Sequence, residues 1–532
     1  MRARFWVVTA VVVVVVVVVC GGVAAAVVLA WPHVRLGPAD QALAYVALPG
    51  FAGRVTAVEV SSAVGGRVPV RLQRGELWPL GRLAAGERLT VEVTVRRPGW
   101  AGWLVGRVER RSFTIETPSA HLLGRWLQAK AGAPVTIAFD VPVALVSLGG
   151  SPARSLPTPQ ATVPVGVVAR GSHSAGAIEV AAAARSWERL PAPVQVSWFP
   201  ARPYPQLLAE PEPTARLAPA GQLTLTFSDS IANVLGAARP RLSPATPGRW
   251  RALDAHTLAF QPTGFGFGLG EKVSVELPLA VHLAGQTGAK LTRTLRWTVP
   301  PGSTLRLQQL LARLGYLPLT WQPAAGHAPN SLEAQLAAAV APPAGRFSWR
   351  YHNTPAELRA LWSAGRPNDI TRGAVMMVED THGLAVDGFA GPNVWRALIG
   401  DAVAGRRRTS GYSYVYVHCS LPQSLNLWHN GRLVLSSPGN TGVPAAPTQL
   451  GTFPVFEHLA VGTMSGTNPG GSHYNDPGIR YISYFNGGDA IHAFNRASFG
   501  TPQSLGCVEL PLAAAARVWP YTPIGTLVTI EN

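Results

Sequence analysis

The chain has 532 residues, too many for one hydrophobic core, so several domains are expected. Hydrophobic residues make up 47% of it, which excludes a disordered protein, and its 55 glycines and 47 prolines favour strands and turns. The net charge of +17 suits an anionic partner, but no basic helix, aromatic RNA-binding pattern or zinc spacing accompanies it. We therefore expect no nucleic-acid partner, and the arginines indicate either compositional bias or attraction to an anionic envelope.

The N-terminal segment predicts a membrane anchor. No charged side chain occurs from Phe5 to Trp31, and a helix of this length would span about 40 Å, which is enough to cross a bilayer. Arg2 and Arg4 precede the segment, and the positive-inside rule then places the N-terminus in the cytoplasm. Residues 1–35 are therefore interpreted as a cytoplasmic tip and a single transmembrane helix.

Two other interpretations of this segment remain open. A signal peptide cleaved after the small residues Ala24–Ala26 is one, and a lipoprotein modified at Cys20 is the other. All three interpretations place the bulk of the chain outside the cytoplasm.

Three β-rich stretches follow, at residues 40–118, 119–200 and 205–300. Arg88–Arg96 alternates polar and apolar residues with a period of two, which predicts a half-buried strand. Repeated short strands separated by turns are typical of small β-sandwiches. Because none of the three stretches carries a catalytic constellation, we interpret them as spacers.

Residues 304–400 change to a helical pattern. Leu307–Leu317 has helical apolar spacing ended by a glycine, and Gly373–Leu398 contains an Asp-Gly turn followed by a proline that starts a helix. Together they resemble a small helical peptidoglycan-binding module, interrupted by an insertion at about 320–372. The matching positions are Leu384, Val386, Asp387, Gly388, Gly391, Trp395 and Leu398. The resemblance implies glycan binding, and the alternative is a helical module that binds nothing.

The segment 411–532 carries the most specific pattern. Tyr412–Val417 and Ser424–Trp428 predict strands, and Asn430-Gly431 predicts a hairpin turn before a returning strand. Further along come Ala490–Phe494, which contains a histidine, and Ser504–Leu510, which contains a cysteine.

This ordered series resembles the YkuD-type L,D-transpeptidase catalytic domain. The stretch 205–300 likewise resembles the immunoglobulin-like modules that precede that domain in actinobacterial members. The sequence departs from the family pattern where Leu505 replaces a histidine, Glu509 replaces an arginine or asparagine, and Ala493 replaces a glycine. The resemblance implies a multidomain, mainly β chain that ends in this enzyme domain.

The resemblance assigns the chemistry of acyl transfer to a few residues. A thiolate both attacks an amide carbonyl and leaves readily, and a histidine must take its proton. By resemblance Cys507 is the nucleophile, His492 the general base, and the backbone carbonyl of Ala493 the acceptor that orients the imidazole. The backbone at Gly506 is expected to contribute to the oxyanion hole.

Three further residues are expected to contact substrate. Ser504 is placed either to position the nucleophile loop or to hydrogen-bond the stem peptide. Tyr484 lies in the region that covers the substrate in the family, and Glu509 stands where the family has its basic or amide residue. Cys419 lacks a motif and is interpreted as structural, and no metal or organic cofactor is implied.

The sequence therefore predicts a peptidoglycan L,D-transpeptidase of the cell membrane, with its bulk facing the cell wall. Its expected partners are stem peptides, wall glycan and the membrane. Hydrolysis of stem peptides is one alternative, and a catalytically silent wall-binding scaffold, favoured by Leu505 and Glu509, is another.

Overall fold

The computed structural model describes residues 2–130, 132–168, 175–284, 293–326 and 329–532. Strands account for 40% of the chain and helices for 18%, which confirms the predicted mainly β, multidomain class. The described residues form two compact units. The first unit contains the residues up to Leu208 together with 282–284, and the second contains 209–281 and the residues from 293 onwards.

The first unit begins with one long helix, α1 (Arg2–Leu29). Its part from Val8 to Leu29 is long and apolar enough to cross a membrane, a property that signal sequences share. None of this stretch is buried against the rest of the protein.

Two four-stranded sheets follow α1, in the orders β1-β2-β6-β5 and β4-β3-β7-β8. β7 alternates as predicted, with its four apolar side chains buried between the sheets. The elements are β1 (Arg35–Pro38), β2 (Ala44–Ala47), β3 (Arg54–Ser62), β4 (Gly66–Arg67), β5 (Val70–Gln73), β6 (Glu76–Pro79), β7 (Arg88–Arg96), α2 (Gly102–Val105) and β8 (Val108–Glu116).

A five-stranded sheet completes the first unit, in the order β11-β10-β12-β13-β9. Its strands are β9 (Trp126–Ala129), β10 (Pro134–Leu148), β11 (Arg154–Val168), β12 (Gly176–Ala183) and β13 (Val194–Pro200). Trp187, which follows β12, packs into the core of the two preceding sheets. The stretches 40–118 and 119–200 therefore share packing, and their division into separate modules stays a prediction.

The next segment is again mostly β. β15, β17 and β18 form one antiparallel group, and β16, β19 and β21 form another, while β14 and β20 pair in parallel. The elements are β14 (Gln206–Glu210), β15 (Leu223–Phe227), α3 (Ile231–Leu235), β16 (Leu242–Ser243), β17 (Gly248–Ala252), β18 (Thr257–Pro262), β19 (Lys272–Glu276), β20 (His282–Leu283) and β21 (Thr294–Thr298).

Helices dominate the following segment. α4 ends at Gly315, whose φ of 87° closes the helix in the left-handed region. The predicted insertion forms a two-stranded sheet and two of the helices. The elements are α4 (Thr304–Leu314), β22 (Leu319–Pro323), α5 (Leu332–Val340), β23 (Gly345–Trp349), α6 (Ala356–Ala360), α7 (Asp369–Thr381) and α8 (Pro392–Ala404).

The C-terminal segment contains two sheets, in the orders β26-β25-β24-β32-β27 and β28-β29-β30-β31. Asn430 and Gly431 both have positive φ, as the predicted two-residue hairpin turn requires. The elements are β24 (Ser413–His418), β25 (Ser424–His429), β26 (Arg432–Pro438), β27 (Gly451–Pro454), β28 (Glu457–Thr467), β29 (His473–Asn486), β30 (Asp489–Ala493), β31 (Val508–Leu510), α9 (Leu512–Val518) and β32 (Leu527–Glu531).

Two hydrophobic cores hold the C-terminal segment. The first core lies between its two sheets, where Val415 and Leu427 meet Ile491 and Val508. The second core joins the outer side of the first sheet to α4, α7 and α8, so that the helical segment and this sheet are packed as one body. The helical segment therefore supports the outer side of the first sheet, and the second sheet, which carries the candidate site, packs on the inner side of the first.

Gly373 on α7 shows how tight this packing is. A methyl group added there would lie 2.5 Å from the carbonyl oxygen of Gly525, just before β32. We predict that Gly373→Ala destabilises the second unit by about 1–3 kcal/mol, because overpacking outweighs the gain of about 1 kcal/mol in helix propensity.

Urea unfolding of the full chain measures this effect. Gly400→Ala on α8 is the matched control, because its added methyl group would meet only side-chain atoms, at 3.7 and 4.0 Å. The control should be neutral or stabilising, and equal stability of the two variants would contradict the packing described here.

Candidate active site

Two short parallel strands bring the predicted base and nucleophile together. β30 and β31 pair with Ile491 opposite Val508 and His492 opposite Glu509. Ile491 and Val508 face the core between the sheets, and side chains alternate along a strand. His492 and Glu509 therefore project from the other face, and Cys507, at the start of β31, lies next to Ala490 on that face.

His492 is held in one orientation. Its side chain is 3% exposed, and its Nδ1 lies 3.0 Å from the carbonyl oxygen of Ala493, to which it donates in the neutral tautomer. Nε2 then carries the lone pair. Burial lowers the pKa of His492, so the imidazole is neutral and able to accept a proton at neutral pH. The carbonyl contact expected at Ala493 is present despite the missing glycine.

Cys507 lies in an apolar setting. It packs with Tyr484, Phe494 and Ala490, and its Sγ lies 3.7 Å from the carbonyl oxygen of Gly488. Burial, together with the nearby carboxylates, raises the pKa of Cys507 to about 12. At neutral pH the site therefore holds a thiol and a neutral imidazole rather than a preformed thiolate–imidazolium pair.

The turn before the nucleophile requires a glycine. Gly506 has a φ of 114°, and an added Cβ would lie 2.2 Å from Oδ1 of Asp489. Among the hydrogen bonds of the described residues, neither Gly506 N–H nor Cys507 N–H donates to a protein acceptor. Two adjacent unpaired donors beside a thiol are what an oxyanion hole needs.

Buried polar residues fix the nucleophile loop. The hydroxyl of Ser504 donates to the carbonyl oxygen of Cys507 at 2.6 Å, which favours loop positioning over contact with substrate. Asn440 is fully buried, exchanges backbone hydrogen bonds with Glu509, and accepts from Gly500 N–H at 2.9 Å through its side chain. The sequence contained this asparagine in an Asn-Thr-Gly motif, but its organising contacts were not predicted.

Glu509 is buried in an ion pair. It is 4% exposed, and both its carboxylate oxygens accept from Arg496, at 2.7 and 2.8 Å. The guanidinium also donates to the carbonyl oxygen of Gln503 and lies 4.6 Å from the ring of Phe494. The expectation that Glu509 contacts substrate therefore gains no support, because Arg496 occupies its carboxylate. No sequence pattern pointed to Arg496.

Tyrosines of the β28–β29 hairpin border the thiol. Tyr484 and Cys507 pack against the same buried cluster, and Tyr484 stacks on Phe456 at 6.3 Å between ring centroids. Burial is the main cause that raises the pKa of both Tyr484 and Tyr474. Tyr484 was predicted to lie in this region, whereas Tyr474 was missed because no motif marks it.

Cys419 lies elsewhere. It is half-buried beside the core between the two sheets, and burial raises its pKa, as expected for a structural thiol. Within the described residues, no group of three or more His, Cys, Asp or Glu side chains has an arrangement that could hold a metal ion.

This geometry coincides with a known enzyme domain. Residues 414–530 match YkuD, the L,D-transpeptidase catalytic domain. The C-terminal domain is a YkuD L,D-transpeptidase domain. No sequence among the curated proteins matches the chain. The helical segment 304–404 lies outside the matched residues, so its resemblance to a peptidoglycan-binding module stays a prediction.

Several solved structures of L,D-transpeptidases are similar to the chain. An L,D-transpeptidase from Mycobacterium smegmatis is 12% identical and covers 62% of this chain and 99% of its own, with a TM-score of 0.21. L,D-transpeptidase 3 from Mycobacterium tuberculosis, with a faropenem-derived adduct, is 11% identical and covers 62% of this chain and 98% of its own, with a TM-score of 0.21. The catalytic domain of the E. faecium L,D-transpeptidase acylated by ertapenem is 23% identical and covers 23% of this chain and 99% of its own, with a TM-score of 0.20.

The Arg496–Glu509 pair generates a stability prediction. Glu509→Gln leaves the guanidinium without its anion and should destabilise the YkuD domain by about 1–3 kcal/mol, because the pair is mostly buried although Arg496 keeps some solvent contact. Glu59→Gln, which breaks the solvent-exposed pair between Glu59 and Arg67, is the matched control and should cost at most about 1 kcal/mol.

Urea unfolding measures both variants. The double variant Arg496→Gln/Glu509→Gln should cost less than the sum of the two single substitutions. Strict additivity, or a Glu509→Gln variant as stable as the control, would show that the pair contributes nothing.

Proposed function

We propose that this chain is a membrane-anchored peptidoglycan L,D-transpeptidase that cross-links stem peptides through a thioester on Cys507. The observation that carries the proposal is the neutral His492, oriented by Ala493, on the strand beside Cys507 in a YkuD domain. The remaining steps follow from the protonation states of these two side chains.

The first half-reaction forms the acyl-enzyme. The thiol of Cys507 gives its proton to Nε2 of His492 as its sulfur attacks the carbonyl carbon of the third residue of a tetrapeptide stem. The oxygen of the tetrahedral intermediate is stabilised by the N–H groups of Gly506 and Cys507. The carbon–nitrogen bond then breaks, the leaving D-alanine takes the proton from His492, and a thioester remains.

The second half-reaction releases the product. The side-chain amine of a neighbouring stem attacks the thioester carbonyl, and His492 removes a proton from that amine. The carbon–sulfur bond breaks, the new amide is the cross-link, and the sulfur recovers its proton from His492. If water takes the place of the amine, the same site performs hydrolysis, which is the alternative reaction.

The departures from the family pattern weigh little against catalysis. Glu509 is neutralised by Arg496, so it leaves no uncompensated charge beside the site. Ala493 still offers its carbonyl oxygen to His492. Leu505 remains the one departure with no compensating contact identified, and the scaffold alternative depends on it.

The other parts of the chain have proposed supporting roles. We assign α1 as a single-pass anchor that leaves the bulk of the chain outside the cytoplasm, facing the cell wall. The modules at 40–118, 119–200 and 205–300 then act as spacers. The segment 304–400 is proposed to bind wall glycan, and Ser504 and Tyr484 are proposed to shape the stem-peptide site together with Tyr474.

Incubation of purified full-length protein with muropeptides tests the function by mass spectrometry. Transfer predicts cross-linked dimers and free D-alanine from tetrapeptide stems, whereas hydrolysis predicts trimmed monomers alone. Cys507→Ala should abolish either product, and Cys419→Ala, the matched cysteine control, should behave as wild type. Unchanged substrate in the wild-type sample, under conditions in which the protein is folded, would favour the scaffold and contradict the proposal.

A further inference from the structure

The connection between α1 and the first sheet is short and packed. α1 ends at Leu29 and β1 begins at Arg35, so five residues join them. A fully extended chain gains at most about 3.6 Å per residue, so five residues span at most about 18 Å. Trp31 is 6% exposed and packs edge-on against Trp100, with ring centroids 5.6 Å apart. The first β-rich stretch therefore sits directly at the end of the helix.

The loop that contains Trp100 carries exposed aromatic side chains. Trp100 is 64% exposed and Trp103, on α2, is 81% exposed, and α2 contacts α1. Phe51, on the neighbouring loop, is 76% exposed. The two loops touch closely, since a Cβ on Gly53 would lie 2.3 Å from the carbonyl oxygen of Arg96. We name the surface formed by Phe51, Trp100 and Trp103 the aromatic surface.

The aromatic surface is bordered by positive charge. Segments 49–54 and 96–108 contain four arginines and no aspartate or glutamate. Of these arginines, Arg54, Arg96 and Arg107 are exposed, whereas Arg97 is tied to the buried Glu109 at 3.0 Å. Glu109 also accepts from His33 and Arg111, so this carboxylate is internally compensated. The exposed charge within these two segments is therefore purely cationic.

We propose that the aromatic surface inserts into the headgroup layer of the outer leaflet of an anionic bilayer. Three observations favour this occupant: the contact with the end of α1, the exposed tryptophans, and the surrounding arginines. Tryptophan is enriched at membrane–water interfaces because its ring is apolar and its N–H is polar. Arginines beside it attract anionic headgroups. The inference rests on the anchor part of the proposed function and not on the catalytic part.

Such docking gives the anchor a second point of attachment. A single helix leaves the attached domain free to tilt, whereas a helix and an inserted loop together fix the orientation of the first β-rich stretch on the bilayer. The aromatic surface would then set the direction in which the chain leaves the membrane.

Quenching of tryptophan fluorescence by brominated lipid tests the proposal. Full-length protein is reconstituted into phosphatidylglycerol-containing vesicles with and without lipid brominated near the headgroup end of its acyl chains. The bromine-dependent loss of emission should be smaller for Trp100→Phe/Trp103→Phe than for wild type, because two quenched fluorophores are missing. Phenylalanine keeps an aromatic ring against Trp31, so the fold is preserved.

Trp428→Phe is the matched control, because Trp428 is 3% exposed in the YkuD domain and cannot reach lipid. It should retain the wild-type bromine-dependent loss. Equal bromine-dependent losses for the double variant and wild type would overturn the proposal. The same result is expected if protein rather than lipid covers the aromatic surface.

Two further measurements keep the proposals separate. If the full chain does not fractionate with membranes, the anchor is wrong and the inference fails with it. If the chain fractionates with membranes but the double variant quenches as wild type, only the docking of the aromatic surface is wrong. Cross-linking of muropeptides in detergent should be the same for the double variant and wild type. The effect of Cys507→Ala on catalysis therefore tests the proposed function independently of the aromatic surface.

Discussion

β30 and β31 lie side by side and parallel, with His492 opposite Glu509, and the rest of the candidate site depends on this pairing. The pairing places the proposed base and the proposed nucleophile on one face, while the opposite face of both strands is packed into the core between the sheets. That core, and the helical segment packed behind the neighbouring sheet, hold the strands rigidly. Rigid strands position reactive groups more precisely than mobile loops do.

Desolvation decides the protonation states at this pairing. It stabilises the neutral forms of both partners, so it raises the pKa of Cys507 and lowers that of His492. In the proposed reaction, the nucleophile is therefore generated only when a proton moves from Cys507 to the imidazole. Because the pKa of the thiol is raised, very little thiolate is present at pH 7, and thiolate formed without the base supports little reaction.

Local sequence patterns sufficed to predict local structure and to propose Cys507 and His492 as site residues. The Asn430-Gly431 turn, the alternation of β7 and the residues around Cys507 are each encoded within a few neighbouring positions. Contacts between distant residues could not be read in this way. Arg496 lies 13 residues before Glu509 and pairs with it only because a loop folds back over β31. The organising role of Asn440 likewise depends on a loop some 60 residues further along the chain.

The fold was predictable at the level of class but not of packing. Strand and turn patterns sufficed for a mainly β chain with one apolar N-terminal helix. The core shared by the helical segment and the YkuD sheet was not predicted, since the sequence shows which residues are apolar but not which of them meet. The exposed tryptophans beside α1 carry no periodic signal either, and only their positions in the structure show that they form one surface.

The central claim is that a half-buried, protonated Cys507 relies on His492, and the pH dependence of carbapenem acylation tests it most directly. By intact-mass spectrometry, the wild-type rate should fall on acidification with an apparent pKa below 6.5, because the lowered pKa keeps His492 neutral to lower pH. His492→Ala should react far more slowly at pH 7, and its rate should rise about tenfold per pH unit up to about pH 10 as thiolate forms. A His492→Ala rate that equals wild type at pH 7, or an adduct that persists in Cys507→Ala, would contradict the claim.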